Sequence, residues 1–360
     1  MDATKDEMDW HLFDPIWKST TAYGESLFFL REAASQPAGA PLLFEPTKIL
    51  DLRSASGETI YAEGVDFRID LPSRRLLLTE DSRIPCTDCR ELYRTAEQDQ
   101  IIDHLSGDES VKLLFGEGNF FHDLQAQVTY NHTEPWFGAV PQYQGKTLPR
   151  TIEKLTAGQP LTLCMSGDSI SAGANASGCT DVPPHMPPYG ELVARGLEQH
   201  CGSPIAFTNL AVGGKGAAHG VEVADRAASL QPDLMIVAYG MNDVGRRDPQ
   251  TYRDQIAAGI DIIRRQNPRA EFILVATMLG NPEWAHTPAE TFPEYRNALA
   301  SLCIDGIVLA DMTRMWTDLL HRKRYHDLTG NGVNHPNDFG HRVYAQLLLS
   351  LLVDLPGEQT

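Results

Sequence analysis

Hydrophobic and polar positions follow two different patterns along the chain. From about Lys48 to Val128, short stretches alternate apolar and polar residues, and Pro, Gly and Asp-Ser pairs separate them. The run Ile60 to Asp70 is the clearest example, and the segments 75–79 and 125–130 are similar. A period of two predicts half-buried strands, and several short strands with turn signals are typical of a β-sandwich or jelly roll.

The second pattern starts after a polar, proline-bearing segment at 141–150 and alternates apolar runs with helical patterns. The apolar runs predict strands at 161–165, 205–212, 233–239, 272–278 and 307–312, and the helical patterns predict helices at 189–200, 221–230, 251–265, 293–303 and 338–353. Parallel neighbours need crossover connections, so this order predicts a five-stranded parallel, doubly wound, flavodoxin-like α/β sheet. We expect two domains: a smaller β-sandwich or jelly-roll domain with its linker at 1–150, and the α/β domain at 151–360.

Composition and charge limit the partners. Hydrophobic residues make up 42% and charged residues 22% of the 360 residues, which is typical of a globular protein. The net charge of -18 repels phosphate backbones and anionic lipid, so we expect neither nucleic acid nor a membrane as partner. A neutral small molecule fits this surface better. Solubility alone is the simpler interpretation of the charge, and a homo-oligomer is compatible with it.

The start of the chain and its cysteines predict a location and the absence of a metal. Residues 1–7 show no basic segment followed by an apolar one, and no apolar run is long enough to cross a bilayer. Six scattered cysteines are typical of a reducing compartment, so we expect a cytoplasmic protein. Cys86 and Cys89 have a metal-ligand spacing, but a structural zinc needs four ligands and no second pair follows. We therefore expect a turn there, and neither metal nor organic cofactor.

A serine follows the first predicted strand of the α/β sheet. Ligands of such sheets lie beyond the carboxyl ends of the strands. Ser169 stands there on a tight turn after Gly167 and Asp168. A serine hydroxyl becomes a nucleophile only with a neighbouring base and donors for an oxyanion. Alone, Ser169 is equally well explained as a helix N-cap.

Three further residues are predicted to lie at the same edge of the sheet. Gly214 lies in a glycine-rich turn after the second strand, and Asn242 follows the third. His335 lies in a Gly/Asn/Pro loop just before the last helix. Each is ambiguous alone, since glycine marks turns and asparagine caps them. Together they offer a base and neutral hydrogen-bond donors near Ser169. Trp284 and His286, after the fourth strand, are placed equally well for substrate contact and for loop packing.

These residues resemble the ordered blocks of the SGNH, or GDSL, hydrolase superfamily. The blocks are 167–170, Gly214, 240–243 and 335–337, and the resemblance covers about 161–353. It implies that Ser169 is the acylated nucleophile and His335 its base. It also implies an oxyanion hole made by the amides of Ser169 and Gly214 with the Asn242 side chain. A β-rich domain in front resembles the two-domain carbohydrate acetylesterases with an N-terminal jelly roll.

The chain departs from the family pattern at one position. The family usually has an Asp three residues before the histidine, and Gly332 stands there. Asp327, Asn331 and a backbone carbonyl are the candidates for orienting the imidazole. A carboxylate would also stabilise the imidazolium, whereas an amide or carbonyl would only orient it. We favour orientation without a carboxylate.

The resemblance implies a serine carboxylic-ester hydrolase whose substrate is a small acylated carbohydrate, with O-acetyl as the expected acyl group. One alternative is hydrolysis of another ester: a short-chain ester, a lysophospholipid or a thioester. The alternative from a different class is a carbohydrate-binding protein with an inert hydrolase domain. The joint presence of serine, glycine, asparagine and histidine argues against inertness.

Overall fold

The computed structural model describes residues 10–354. Within this range the first part of the chain is rich in short strands. Their bounds are β1 (Thr21–Phe28), β2 (Leu30–Arg31), β3 (Gly39–Pro41), β4 (Pro46–Ser54), β5 (Phe67–Asp70), β6 (Arg75–Leu78), β7 (Thr87–Asp88), β8 (Tyr93–Arg94), β9 (Ile101–Asp103), β10 (Lys112–Leu114) and β11 (Gln125–His132).

These strands form three sheets. One is antiparallel with the order β1-β11-β4, and the largest has the order β5-β6-β3-β2-β7. The third is the small sheet β8-β10-β9. Phe29 alone separates β1 from β2, so the chain passes there from the first sheet to the second. The expected β-rich first region is present, whereas the strand predicted at 60–70 is confined to β5 at its end.

The second part is an α/β fold around one parallel sheet. Its strands are β12 (Leu161–Gly167), β13 (Ile205–Asn209), β14 (Leu234–Ala238), β15 (Glu271–Ala276) and β16 (Ile307–Asp311). They lie in the order β13-β12-β14-β15-β16, and all neighbours are parallel. All residues of β14 and β15 are buried, as expected for strands covered on both faces. The predicted five-stranded, doubly wound sheet is confirmed.

Helices connect these strands and cover both faces of the sheet. They are α1 (Pro149–Thr156), α2 (Ser169–Ala172), α3 (Tyr189–Cys201), α4 (Ala217–Glu222), α5 (Ala224–Ser229), α6 (Pro249–Gln266), α7 (Phe292–Ala300), α8 (Met312–Leu320), α9 (Tyr325–Leu328) and α10 (Asp338–Leu352). The helix predicted at 221–230 is two short helices that meet at Val223. None of the helices in residues 10–354 is long and apolar enough to cross a membrane.

Both parts of the chain share one hydrophobic core. The larger of two clusters of buried side chains contains residues of both parts, from Phe13 and Leu27 to Leu352, and the smaller one is made by Phe28, Leu30, Leu114 and Phe121 of the first region. The predicted linker also packs against the α/β part: Leu148 is fully buried, and the backbone N–H of Gln144 donates to the carbonyl of Leu351. The first region therefore packs directly against the α/β part, where β1 contacts α9 and α10.

Candidate active site

The end of β12 presents Ser169 on a tight turn. A Cβ atom on Gly167 would lie 2.2 Å from the Ser171 hydroxyl and 2.6 Å from the Ala238 carbonyl, so only glycine fits there. Asp168 then caps α2, since its carboxylate accepts the Ile170 N–H at 3.0 Å. Ser169 is the first residue of α2 and is partly exposed.

His335 reaches Ser169 from the loop that precedes α10. Its Nε2 lies 2.9 Å from the Ser169 hydroxyl oxygen. Asn331 shapes this loop, because its side-chain oxygen accepts the three N–H groups of residues 333–335 at 3.0–3.1 Å. The structure thus brings together the two residues predicted as nucleophile and base, 166 positions apart in the chain.

The other ring nitrogen of His335 has two partners that the sequence did not suggest. Nδ1 lies 2.9 Å from the side-chain oxygen of Asn175 and 3.3 Å from a carboxylate oxygen of Glu117. The Asn175 amide nitrogen donates to the carbonyls of Gly118 and Gly330, both at 3.0 Å. Its oxygen must therefore face the ring and accept a proton from Nδ1. This leaves Nε2 of the neutral imidazole free to accept the Ser169 hydroxyl proton.

Neither side-chain candidate for orienting the imidazole contacts the ring. Asp327 is fully buried and accepts the N–H groups of Phe28 and Arg324, at 2.8 and 2.7 Å. Asn331 uses its oxygen to shape the loop, as described above. Instead, the amide oxygen of Asn175 lies 2.9 Å from Nδ1 and orients the ring, as expected of a group other than a carboxylate, while a carboxylate oxygen of Glu117, which the sequence did not suggest, lies 3.3 Å from the same nitrogen.

Glu117 comes from the β-rich region, directly after β10. Partial burial opposes its ionisation, but the hydrogen bond and charge of His335, with a further bond from Asn331, lower its pKa. It is therefore charged near neutral pH. No local signal marks it in the sequence, because the contact depends on packing between the two parts of the chain. Asn175 lies only six residues after Ser169, but nothing in its surroundings distinguishes it from a turn residue.

Two of the three predicted oxyanion donors, Gly214 and Asn242, lie on the turns after β13 and β14, and the third, the Ser169 amide, lies at the start of α2. Gly214 has a φ of +74° and is exposed, and a Cβ on Gly213 would lie 3.8 Å from the Cβ of Ser169. The glycine turn therefore lies against the serine. Asn242 donates one side-chain N–H to the carbonyl of Lys215 at 3.0 Å, which ties it to the same turn. Only one of the two N–H bonds of the Asn242 side chain takes part in this hydrogen bond.

Two buried carboxyl groups lie beneath these turns. Burial raises the pKa of Asp168 to about 7, although the bond from the Ile170 N–H opposes the shift and the charge of Asp243 adds to it. Burial also raises the pKa of Asp243, which accepts the Ala217 N–H at 3.1 Å and so fixes the start of α4. Both groups position backbone around the site rather than reach into it.

A loop after β15 forms a further wall near His335. The Asn281 N–H donates to the carbonyl of Val333 at 2.7 Å, and Trp284 forms a β-bridge with His104 of the first region. Trp284 is partly exposed, and its ring meets His286 edge to face. In the described part of the chain no group of three or more His, Cys, Asp or Glu side chains is placed to hold a metal ion. The thiols of Cys86 and Cys89 are free.

Comparison with known protein families identifies a match to part of the chain. Residues 165–343 match the model of the GDSL-like lipase/acylhydrolase family. No curated protein sequence matches the chain.

Several solved structures are similar to the chain at low sequence identity. A two-domain esterase active on acetylated mannans is 18% identical over 60% of this chain and 54% of its own, with a TM-score of 0.47. An acetyl-xylooligosaccharide esterase from Geobacillus stearmophilus, solved as a mutant, is 18% identical over 54% of this chain and 94% of its own, with a TM-score of 0.43. A lipase from a goat rumen metagenome is 12% identical over 53% of this chain and 96% of its own, with a TM-score of 0.44.

The chain therefore spans about half the length of the two-domain esterase. The family assignment depends on the matched segment, which contains Ser169, Asn242 and His335. Residues 165–343 of this chain belong to the GDSL-like lipase/acylhydrolase family.

Proposed function

We propose that this protein is a serine esterase that removes small acyl groups, above all O-acetyl groups, from carbohydrates through an acyl-enzyme on Ser169. The observation that carries the proposal is the 2.9 Å contact between the Ser169 hydroxyl and Nε2 of His335. Because Asn175 fixes the tautomer of the imidazole, Nε2 has a lone pair directed at the proton it must remove.

In the first half of the reaction, the Ser169 oxygen attacks the acyl carbonyl carbon while its proton moves to Nε2 of His335. The carbonyl π electrons move onto oxygen, which becomes the oxyanion of a tetrahedral intermediate. Collapse of the intermediate breaks the ester C–O bond. His335 then protonates the leaving sugar oxygen and is neutral again, and the acyl group stays on Ser169.

The oxyanion needs donors at the moment when its charge develops. The amides of Ser169 and Gly214 and the free N–H of Asn242 are the proposed donors. Loss of one such donor in known sites costs about 3–4 kcal/mol of transition-state stabilisation. The bond from Asn242 to Lys215 supports this assignment, since it holds the side chain against the glycine turn in advance of substrate binding.

In the second half, His335 removes a proton from water, which attacks the acyl carbonyl of the acyl-enzyme. The second tetrahedral intermediate collapses with the Ser169 oxygen as leaving group. That oxygen takes back the proton from His335, and the free acid departs. Serine, histidine and water complete this cycle.

The substrate class is proposed from the surroundings of Ser169. Asn242 and Glu117 offer polar groups suited to sugar hydroxyls, and the partly exposed Trp284 offers a face for a sugar ring. The net charge of -18 disfavours anionic lipid and nucleic acid as partners. A cytoplasmic location, which stays a prediction, would restrict the substrates to short oligosaccharides.

Acetate release tests this proposal. The wild-type protein is expected to release acetate from acetylated xylo- or manno-oligosaccharides and from p-nitrophenyl acetate, and Ser169→Ala is expected to abolish both activities. His335→Ala should reduce both by at least about a thousandfold. His321→Ala, an exposed histidine on the same part of the chain, is the matched control and should retain activity.

The same assay separates the alternatives. Turnover of a lysophospholipid or an acyl thioester in preference to acetylated oligosaccharides would replace the substrate class and keep the mechanism. Binding of oligosaccharide without turnover of any ester would support the inert carbohydrate-binding protein. Turnover retained by Ser169→Ala would remove Ser169 from the mechanism.

A further inference from the structure

We propose that Glu117, supplied by the β-rich first region, is the positioning residue that stabilises the charged form of His335 during catalysis. The proposal rests on the function proposed for Ser169 and His335. It assigns to the first region a direct part in the chemistry of the α/β domain. Three observations carry it: the space around Gly332, the bonds that hold Glu117, and the division of contacts on Nδ1.

The first observation is that no side chain fits at position 332. Gly332 has a φ of +81°, a conformation that L side chains rarely adopt. A Cβ atom there would lie 2.6 Å from the Phe121 ring and 3.1 Å from the Leu114 carbonyl. Both obstacles belong to the first region. That region thus fills the space in which an aspartate three residues before His335 would have to stand.

The second observation is that Glu117 is held from two sides. The Asn331 side-chain nitrogen lies 3.3 Å from one carboxylate oxygen, and Nδ1 of His335 lies 3.3 Å from the other. Backbone reinforces this contact, since the Gly116 N–H donates to the Asn331 carbonyl at 3.3 Å. Phe121, fully buried, anchors the segment that follows. The carboxylate is therefore placed against the ring by the packing of the two regions.

The third observation is that Nδ1 has one neutral and one charged partner. Asn175, nearly buried, accepts the Nδ1 proton and fixes the tautomer. An amide orients the ring but gains little when the ring becomes positive, whereas a carboxylate gains a full charge interaction. Asn175 and Glu117 thus divide the two tasks that one aspartate performs in a Ser-His-Asp triad.

The expected effect of Glu117 on kcat is limited by the exposure of its side chain. The Glu117 side chain is 52% exposed, so water screens its interaction with the imidazolium. We expect Glu117→Gln to lower kcat by about fivefold with KM near the wild-type value. This loss is far smaller than that expected for His335→Ala, because Asn175 keeps the tautomer in the variant.

The pH profile distinguishes positioning from a structural role. A carboxylate favours the protonated imidazole, so its removal should move the acid limb of kcat/KM to lower pH, by about half a unit. The other ionisable groups with an electrostatic effect in this cluster are Asp168 and His341. Both remain in the variant, so their contributions cancel in the comparison.

The experiment measures kcat, KM and the pH profile with p-nitrophenyl acetate for the full chain and three variants. Glu117→Gln is expected to show both the lower kcat and the acid limb at lower pH. Glu117→Asp keeps the charge on a shorter side chain and is expected to show smaller changes in both. Asp123→Asn is the matched control, because it removes an exposed charge from the same β10–β11 connection and should behave as wild type.

Two results would overturn the proposal. One is a Glu117→Gln variant with wild-type kcat and an unmoved acid limb. The other is a loss of kcat with an unmoved acid limb, which would make Glu117 a structural residue only. Ser169→Ala, run in parallel, separates this failure from that of the proposed function: activity in Ser169→Ala would refute the esterase mechanism itself, whereas its loss leaves that mechanism standing.

Discussion

At the scale of single residues, the site depends on glycines at positions where neighbouring atoms leave no room for a side chain. Gly167 leaves room for the Ser171 side chain and the Ala238 carbonyl beside Ser169, and Gly332 leaves room for the first region. The residues proposed as nucleophile, base and oxyanion donors could be identified from sequence, because each follows a strand or lies in a distinctive loop. Glu117 and Asn175 could not, because only tertiary packing brings them to His335.

Asp168 leads to a prediction about stability and pH. Burial raises its pKa to about 7, so between about pH 4 and 7 the folded protein keeps a proton that the unfolded chain has lost. Folding stability from this group therefore falls as pH rises through that window, by on the order of 1.4 kcal/mol per pH unit. Asparagine does not ionise, so the free energy of unfolding of Asp168→Asn, relative to that of the wild type, should be higher at pH 8 than at pH 5.

Urea unfolding of wild type and Asp168→Asn at the two pH values checks this expectation. Asp123→Asn, an exposed position, should show the same small difference from wild type at both. A difference for Asp168→Asn that does not change with pH would show that the carboxyl group is already ionised in the folded protein.

At the scale of helices and strands, the buried parallel strands were the most predictable elements. Apolar runs predicted β12 to β16, and the parallel direction of these strands followed from the need for crossover helices. The strands of the first region were less predictable, because they are short and their pairing partners lie far apart in the chain. β1, for example, pairs with β11, so the alternation within either strand does not reveal the sheet.

A buried ion pair between elements leads to a stability prediction. Lys323, between α8 and α9, donates to a carboxylate oxygen of Glu25 in β1 and to the Pro41 carbonyl in β3, both at 2.6 Å. Both charged side chains are fully buried. Lys323→Met leaves the Glu25 carboxylate without its countercharge and should lower the free energy of unfolding by about 3–5 kcal/mol.

Equilibrium unfolding in urea measures this loss. Adding Glu25→Gln to Lys323→Met should recover part of it, since the uncompensated charge is then gone. Arg247→Met, which removes an exposed pair with Glu290, is the control and should change stability little. A loss no greater for Lys323→Met than for the control would contradict the account of this pair.

At the scale of the whole molecule, the two parts of the chain act as one unit. The change from short strands to alternating strands and helices predicts two domains joined by a polar linker, and this division stays a prediction. The shared core and the contact of Glu117 with His335 could not be predicted, because hydrophobic patterning shows that a face is buried but not which face covers it. The first region therefore contributes a side chain to the candidate active site as well as buried surface to the shared core.

The central claim is that Ser169 is the nucleophile, and covalent labelling tests it most directly. The full chain is treated with a serine-reactive phosphonate, and peptide fragmentation by mass spectrometry locates the modified residue. We predict one phosphonyl group on Ser169 of the wild-type protein and none on Ser169→Ala. An adduct on any other residue, or no adduct on a folded wild-type protein, would contradict the account.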